Sequence, residues 1–338
     1  MTAITRRHRI AALFKSGSIS VAGKEKTMIL ISEAQSAAIV TPELAFSAVR
    51  DAFIAAIAPS AVSFPVVMAH GSDPKNRFTI KSASGMELAG LKVGAYFPSN
   101  DARGLPRHAS TILLIDQSTG RVGALIEGSA VNCYRTAAAD AVATDALARP
   151  NADVLTVIGT GHQAAYEAQA IARIRKLSRL LVVGRDPSRT GSFVQKLRSS
   201  GLPAEPSAAK AAVQAADIIV TATTATAPLF EATWIQPGTH ISSMGSDAKG
   251  KQELPSDLLL KASLFCDFPE QSVRIGEFQH ADSTAMPIAI GSVLSGGAPG
   301  RQNETEITIF DSSGISLQDL YMANVIIERY ATTTLQDS

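Results

Sequence analysis

The sequence predicts an α/β protein: a doubly wound parallel domain inserted into a discontinuous α+β domain. Three observations carry that prediction. From Val154 onward, apolar runs alternate with helical stretches at the spacing of a parallel sheet. Between Arg77 and Gly128 the pattern changes to short alternating runs, which suit an antiparallel sheet with one buried face. A length of 338 residues exceeds what a single hydrophobic core usually serves. The expected division is an extension over 1–27, one domain over 28–133 and 292–338, and a second over 134–291.

The elements follow in order. Residues 1–26 carry Arg6, Arg7, Arg9, Lys15, Lys24 and Lys26 against one acid, Glu25, a pattern open to an organellar transit peptide but read here as a disordered extension or as residues upstream of a start at Met28. Globular patterning begins at Met28. In "TPELAFSAVRDAFIAAI", Thr41 is an N-cap, Pro42 takes the first helical position, and Leu44, Val49, Phe53 and Ile57 recur at near-helical spacing. The runs "RFTIKSA", "GLKVGAYF", "STILLID" and "VGALIEG" read as strands, with "QSTG" as a hairpin turn. An Ala-rich helix from Asn132 to Ala148 then leads into the second domain.

That domain opens on Val154–Ile158, a run apolar enough to be buried on both faces. Strands follow in "RLLVVG", "ADIIVTAT", "THISSMG" and "ASLFCDF", with helices between. The last 50 or so residues supply one strand, "EITIFD", and a helix from Ser316 to Tyr330, with Ser316 and Asp319 as a variant capping box. A piece so small does not fold alone, so it is expected to return and pack on the N-terminal sheet.

Composition narrows the function. Thirty-one basic residues against 30 acidic ones give a net charge of +1, which speaks against nucleic acid or an anionic membrane as partner. Apolar stretches break well before the ~20 residues of a spanning helix. The two cysteines, Cys133 and Cys266, form neither a disulfide framework nor a zinc knuckle, which fits a reducing, cytoplasmic compartment. The six histidines lack ligand spacing, so no metal is expected, and no G-x-S-x-G elbow is present.

The chemistry-bearing motif is Gly159-x-Gly161-x-x-Ala164 between a buried strand and a helix. Gly159 makes the tight turn, Gly161 lets the main chain approach a pyrophosphate, and Ala164 permits close helix–strand contact. The turn Gly159, Thr160, Gly161, His162, Gln163 thus presents N–H groups to a dinucleotide. At the tip of the next strand, Arg185 stands where an NAD-selective site carries an acid, and with Arg189 it suits the 2′-phosphate of NADPH. Asp186 leaves NADH open, because a shift of one or two residues would make it the ribose ligand.

For the substrate, Lys81 and Lys92 fall opposite each other if their hairpin centres between Met86 and Glu87. Their repulsion would be relieved by a small anion or, in another register, by solvent. Arg135 and Thr136 sit early on the Ala-rich helix, where an anion also fits. Asp247 follows the strand "THISSMG", at the end of the sheet that faces ligands in doubly wound folds, where it can exchange a proton with a substrate nitrogen or cap a turn with Gly250.

Taken together, "GLKVGAYFPSN", "STILLIDQSTGRVGALIEG", "NCYRTAAADAVATDALARPNADVLTVIGTGHQA", "ADIIVTATTATAPLF", "PGTHISSMGSDAKGKQELP" and "EITIFDSSGISLQD" make this chain resemble the ornithine cyclodeaminase and mu-crystallin family. The resemblance implies a Rossmann domain inserted in a split substrate and dimerisation domain, and a homodimer. It implies that Lys92 binds the substrate carboxylate, that Asp247 transfers the proton, and that Arg135 reaches the cofactor phosphates rather than the substrate. It places Thr111, Thr223, Thr224 and Met244 around the nicotinamide pocket, with Ser312 and Ser313 closing it.

Two features depart from the cyclodeaminases: "SAVSFPVVMAHGS" lacks their early-strand arginine, and Arg185 replaces their acid. The text from His70 to His108 is more similar to members that reduce cyclic imines, the Δ1-pyrroline-2-carboxylate and Δ1-piperideine-2-carboxylate reductases of hydroxyproline and lysine breakdown. The expectation is therefore an NAD(P)H-dependent ketimine reductase yielding L-proline or L-pipecolate. Ornithine cyclodeaminase, alanine dehydrogenase and a non-catalytic crystallin-like cofactor binder are the alternatives.

Overall fold

The computed structural model describes residues 28–336, so the expected extension over 1–27 lies outside the described residues. In chain order the elements are β1 (Ile29–Ile31), α1 (Glu33–Ile39), α2 (Pro42–Ala56), β2 (Val62–Ser63), β3 (Val67–His70), β4 (Arg77–Ser84), β5 (Ala89–Tyr96), β6 (His108–Ile115), β7 (Val122–Glu127) and α3 (Ser129–Leu147). Then come β8 (Val154–Ile158), α4 (His162–Ile174), β9 (Arg179–Val183), α5 (Pro187–Ser199), β10 (Ala204–Pro206), α6 (Ala209–Ala215), β11 (Ile218–Thr221) and β12 (His240–Ser243). The chain closes with α7 (Ser256–Leu259), β13 (Ser263–Cys266), α8 (Pro269–Ile275), β14 (Ile288–Ala289), α9 (Ile290–Leu294), β15 (Thr308–Asp311) and α10 (Ser316–Gln336). Two compact units result: residues 28–44, 58–132 and 316–336 form one, and 45–57 with 133–315 form the other.

The first unit is built on a mostly antiparallel sheet in the order β1-β7-β6-β5-β4-β2, with β3 also on β4. Alternation assigns its faces. Ala83, Ile112, Leu114, Ala124 and Ile126 are buried on one face, while Ile80, Leu91, Val93, Leu113 and Leu125 on the other are only half-buried. Helix α10 covers the buried face, and its fit needs Gly90, where a Cβ would stand 2.2 Å from the Leu113 carbonyl and 3.1 Å from Leu320. The Ser316 hydroxyl donates to the Lys81 carbonyl at 3.0 Å and Asp319 turns to Lys92, so both residues tie the helix to the sheet.

The second unit is a parallel sheet in the order β10-β9-β8-β11-β12-β15-β13-β14. Leu155, Val157, Ile218, Ile219, Val220, Ile241 and Ile309 are fully buried along its central strands, as the continuous apolar runs require when helices cover both faces. Each such side chain contributes about 1.5–3 kcal/mol by leaving water. Thr41 caps α2 as expected, accepting from Leu44 N at 3.2 Å, and Phe53 of that helix meets the edge of Phe310 with ring centroids 6.1 Å apart.

One expectation is corrected here. The C-terminal strand does not return to the N-terminal sheet: β15 inserts between β12 and β13 of the parallel sheet, and only α10 goes back. The domain limit accordingly lies near Ile315, not near residue 292. Thr308, Ile309, Phe310 and Asp311 are all fully buried, which a strand gains only in the middle of a covered sheet.

Candidate active site

In the first unit, Lys81 and Lys92 are direct cross-strand partners, as the centring of their hairpin predicted. Both are buried, with 9% and 4% of their surface exposed, so neither ammonium stands in bulk solvent. Lys92 Nζ donates to Asn132 Oδ1 at 3.0 Å and pairs with both oxygens of Asp319 at 2.9 Å. A buried cation needs such partners, because an unpaired one costs several kcal/mol. Sequence reasoning missed Asn132 and read Asp319 only as a cap. Its signal was the (i, i+3) spacing from Ser316, which serves a sheet contact equally well. Thr111 is placed elsewhere: it pairs with Val93, so its side chain lies on the sheet face opposite Lys92. Ser110, one residue earlier, is on the lysine face.

In the second unit the glycine turn has the geometry of a dinucleotide site. Gly159 sits at φ +132°, and a Cβ there would meet the Ala222 carbonyl at 2.6 Å. Gly161 is the N-cap of α4, with no side chain closing the helix end and open space where a Cβ would project. Unsatisfied N–H groups thus face outward, as phosphate binding requires. A pocket beside them is lined by Thr160, Gly161, His162, Ser188, Arg189, Ser192, Phe193 and Lys196. Burial, aided by Lys196, lowers the pKa of His162 and favours its neutral form. These residues fit a dinucleotide.

Strand β9 ends as read, but its acid is engaged: Asp186 accepts from Arg189 N at 3.0 Å and caps α5. Arg185 beside it is exposed. The cationic pocket residue Lys196 and the hydroxyls of Ser188 and Ser192 escaped sequence reasoning, because they are legible only once α5 is known to present that face. The Gln163 side chain turns away from the turn, donating to Cys133 O at 3.2 Å and to Glu167 Oε1 at 2.7 Å, which leaves its main chain for a ligand.

Behind the turn, Arg135 is 7% exposed on α3, close enough to favour ionisation of Glu167. Burial and the adjacent Asp140 prevail, and the pKa of Glu167 is raised. Burial also pushes Asp140 up, to about 6.

At the carboxyl ends of the strands, two buried acids organise the loops. Glu253 accepts from Thr223 N and Oγ1 at 2.7 Å each, from Thr221 Oγ1 at 2.7 Å and from Gly245 N at 2.8 Å. Asp267 accepts from Ser312 and Ser313 hydroxyls at 3.4 and 3.2 Å and from Gly314 N. The hydroxyls of Thr223, Ser312 and Ser313 are thereby engaged by the protein, and neither acid was singled out from sequence. Met244 is buried and Thr224 half-buried in the same strand-end loops. Asp247 follows β12 with 57% of its side chain exposed and forms an ion pair with Lys251, whose Nζ also donates to Gly245 O at 3.1 Å. Among the described residues no cluster of three or more His, Cys, Asp or Glu could hold a metal, and no helix is long and apolar enough to cross a membrane.

Comparisons with known proteins agree with this arrangement. The iminosuccinate reductase of Paracoccus denitrificans is 37% identical over 309 residues, 89% of this chain and 96% of that one. Its structure in complex with NAD+ matches with a TM-score of 0.82 over 89% of this chain and 95% of that one. An archaeal alanine dehydrogenase dimer with bound NAD gives 0.83 at 29% identity, covering 91% and 97% of the two chains. The Thermococcus litoralis Δ1-pyrroline-2-carboxylate reductase, in complex with NADH and L-proline, gives 0.84 at 27% identity, covering 91% and 98%. With the family's sequence profile matching residues 24–334, the chain belongs to the ornithine cyclodeaminase/mu-crystallin family.

Proposed function

We propose that this protein is an NAD(P)H-dependent oxidoreductase that reduces the C=N bond of α-imino carboxylates. The observation that carries the reading is the buried Lys92, held by Asp319 and Asn132 in the unit whose partner carries an open glycine turn. When bound, the dinucleotide supplies a hydride from its nicotinamide. Gly159, Thr160, Gly161 and His162 hold its pyrophosphate, and Arg135 reaches the phosphates. Lys92 binds the substrate carboxylate and removes its repulsion toward incoming hydride. Asp247, as a carboxylate paired with Lys251, accepts a hydrogen bond from the N–H of the protonated imine and holds positive charge at nitrogen, which draws hydride to C2. The amine formed takes its last proton through water.

The cyclic imines Δ1-pyrroline-2-carboxylate and Δ1-piperideine-2-carboxylate, giving L-proline and L-pipecolate, are the substrates the sequence suggests. A second reading, a dicarboxylic imine such as iminosuccinate, is favoured by Lys81 directly opposite Lys92 and by the 37% identical relative. NADPH is the favoured cofactor: Asp186 is spent on the helix cap, while Arg185, Arg189 and Lys196 offer charge to a 2′-phosphate. The half-buried sheet face of Ile80, Leu91, Val93, Leu113 and Leu125 supports a homodimer through that face, and two cysteines without a disulfide framework fit the cytoplasm. Mixing each imine with NADPH or NADH and following absorbance tests the proposal; no turnover of any imine with either would falsify it.

A further inference from the structure

Behind the glycine turn lie two acids to which the proposed chemistry gives no part. Asp140 of α3 and Glu167 of α4 are both 0% exposed. Each has one oxygen in use: Asp140 Oδ1 accepts from Thr144 Oγ1 at 3.0 Å, and Glu167 Oε1 accepts from Gln163 Nε2 at 2.7 Å. The other two, Asp140 Oδ2 and Glu167 Oε2, are buried with no N–H or O–H placed to donate to them. The two carboxyl groups also bond to each other, which two carboxylates can do only through a proton. The oxygens that lack a donor are the ones left to hold it.

The charged neighbours are few. Arg135 faces the pair from α3, and Ser242 of β12 favours the Asp140 carboxylate, with His240 behind it kept neutral by burial. Arg175, just after α4, is engaged by Asp145 and the Thr144 carbonyl. Burial raises both acids, and Asp140 raises Glu167 further, well above the carboxylate range. With Asp140 itself at about 6, the pair as a unit keeps one proton at neutral pH and takes a second near pH 6.

We infer that Asp140 and Glu167 act as one proton-sharing pair that positions the dinucleotide turn through Gln163 and strengthens dinucleotide binding when it takes up its second proton. The inference rests on the reading of Gly159 to Gln163 as that turn. The Gln163 side chain is held between Glu167 and the Cys133 carbonyl, so the pair is one residue contact away from the main chain that meets the pyrophosphate. With one proton the pair carries a negative charge that opposes this anion, and with two it carries none. By linkage, a dinucleotide that binds the neutral pair better draws the second proton in as it binds.

Calorimetry with NAD+ on the full chain tests this, because the pyrophosphate keeps its charge throughout. Wild-type affinity is expected to fall about fivefold from pH 5 to pH 8, with uptake of about 0.4 proton slightly above pH 6, read from buffers of unlike ionisation enthalpy. Glu167→Gln keeps both contacts, its amide donating where the shared proton stood, and locks the pair at one negative charge. It should match the wild type at pH 8 and lose most of the pH dependence. Adding Asp140→Asn removes the charge, and the double variant should bind about fivefold tighter than Glu167→Gln at pH 8. A merely structural role would weaken binding in both variants and would not give this order. His162 is present in all three proteins, so any dependence it causes is common to them. Equal pH dependence in the wild type and Glu167→Gln overturns the inference, and so does a wild type that takes up no proton, a result that stands even if neither variant folds. NAD+ failing to bind at any pH overturns the dinucleotide reading and this inference together.

Discussion

Replacing Lys92 with methionine separates what this lysine does for the fold from what it does for the substrate. Methionine keeps the length of the stem and removes the charge. In the first unit the loss removes the ammonium that meets both oxygens of Asp319, a side chain 1% exposed. Removing one partner of a buried pair costs about 3–5 kcal/mol. At roughly 2–4 °C per kcal/mol for a body of this size, the melting transition should fall by about 6–20 °C. Adding Asp319→Asn removes the buried charge that Lys92 balanced, and the double variant should recover part of that loss. Activity should not recover. A charge-assisted bond to a carboxylate contributes about 1.5–3 kcal/mol, so kcat/KM in the folded double variant should remain lower by about 10- to 150-fold. Thermal melts followed by steady-state kinetics well below the melting point provide both readings. A double variant that regains stability and full activity together would refute the assignment of Lys92 to the carboxylate and leave it a structural ion pair.

Three further outcomes follow from the same geometry. Asp247→Asn should reduce kcat by about 10²–10⁴ with little change in KM or stability, since the carboxylate is more than half exposed; unchanged kcat removes it from the chemistry. Joint Arg189→Ala and Lys196→Ala substitution should raise KM for NADPH about tenfold or more and leave NADH nearly unaffected; a parallel effect on both cofactors would show that the pocket does not read the 2′-phosphate. His240→Gln tests a pH effect. Burial in the parallel sheet, with Arg301 and Arg175 nearby, lowers the His240 pKa to about 3, so the folded protein keeps it neutral while the unfolded chain protonates it below its ordinary 6.5. Its contribution to stability is therefore present above pH 6.5 and lost as pH falls from there toward 3. At about 1.4 kcal/mol per pH unit, the wild type should lose about 2 kcal/mol relative to the variant between pH 7 and pH 5. Parallel melting curves at the two pH values would remove His240 from that account.

Much of this architecture is written locally. The continuous apolar runs of β8 and β11, the glycine pair after β8 and the alternation in β4 to β7 each reflect a constraint on consecutive residues, so the pattern shows it directly. The opposition of Lys81 and Lys92 was legible because hairpin register is arithmetic. What the sequence concealed depends on distant pairing. Strand β15 looks the same whether it joins one sheet or the other, and only its parallel register with β12 and β13 decides. Asp319 reads as a helix-start residue until α10 is laid over β5. Glu253 and Asp267 reach backbone and hydroxyl groups of residues 32 and 47 positions away at their longest. No local spacing announces such contacts. Thr111 and Ser110 differ by one residue in sequence and by a whole face in the sheet, a difference that strand register alone decides.

The central claim, hydride transfer to an α-imino carboxylate anchored at Lys92, is tested most directly by product analysis. The purified enzyme is incubated with NADPH or NADH and, separately, with Δ1-pyrroline-2-carboxylate, with oxaloacetate plus ammonium, and with L-ornithine and NAD+. The account predicts reduced cofactor consumed in step with an L-amino acid formed from an imine, and no ammonia released from ornithine. Ammonia and proline from ornithine, with every imine left unreduced, would contradict it.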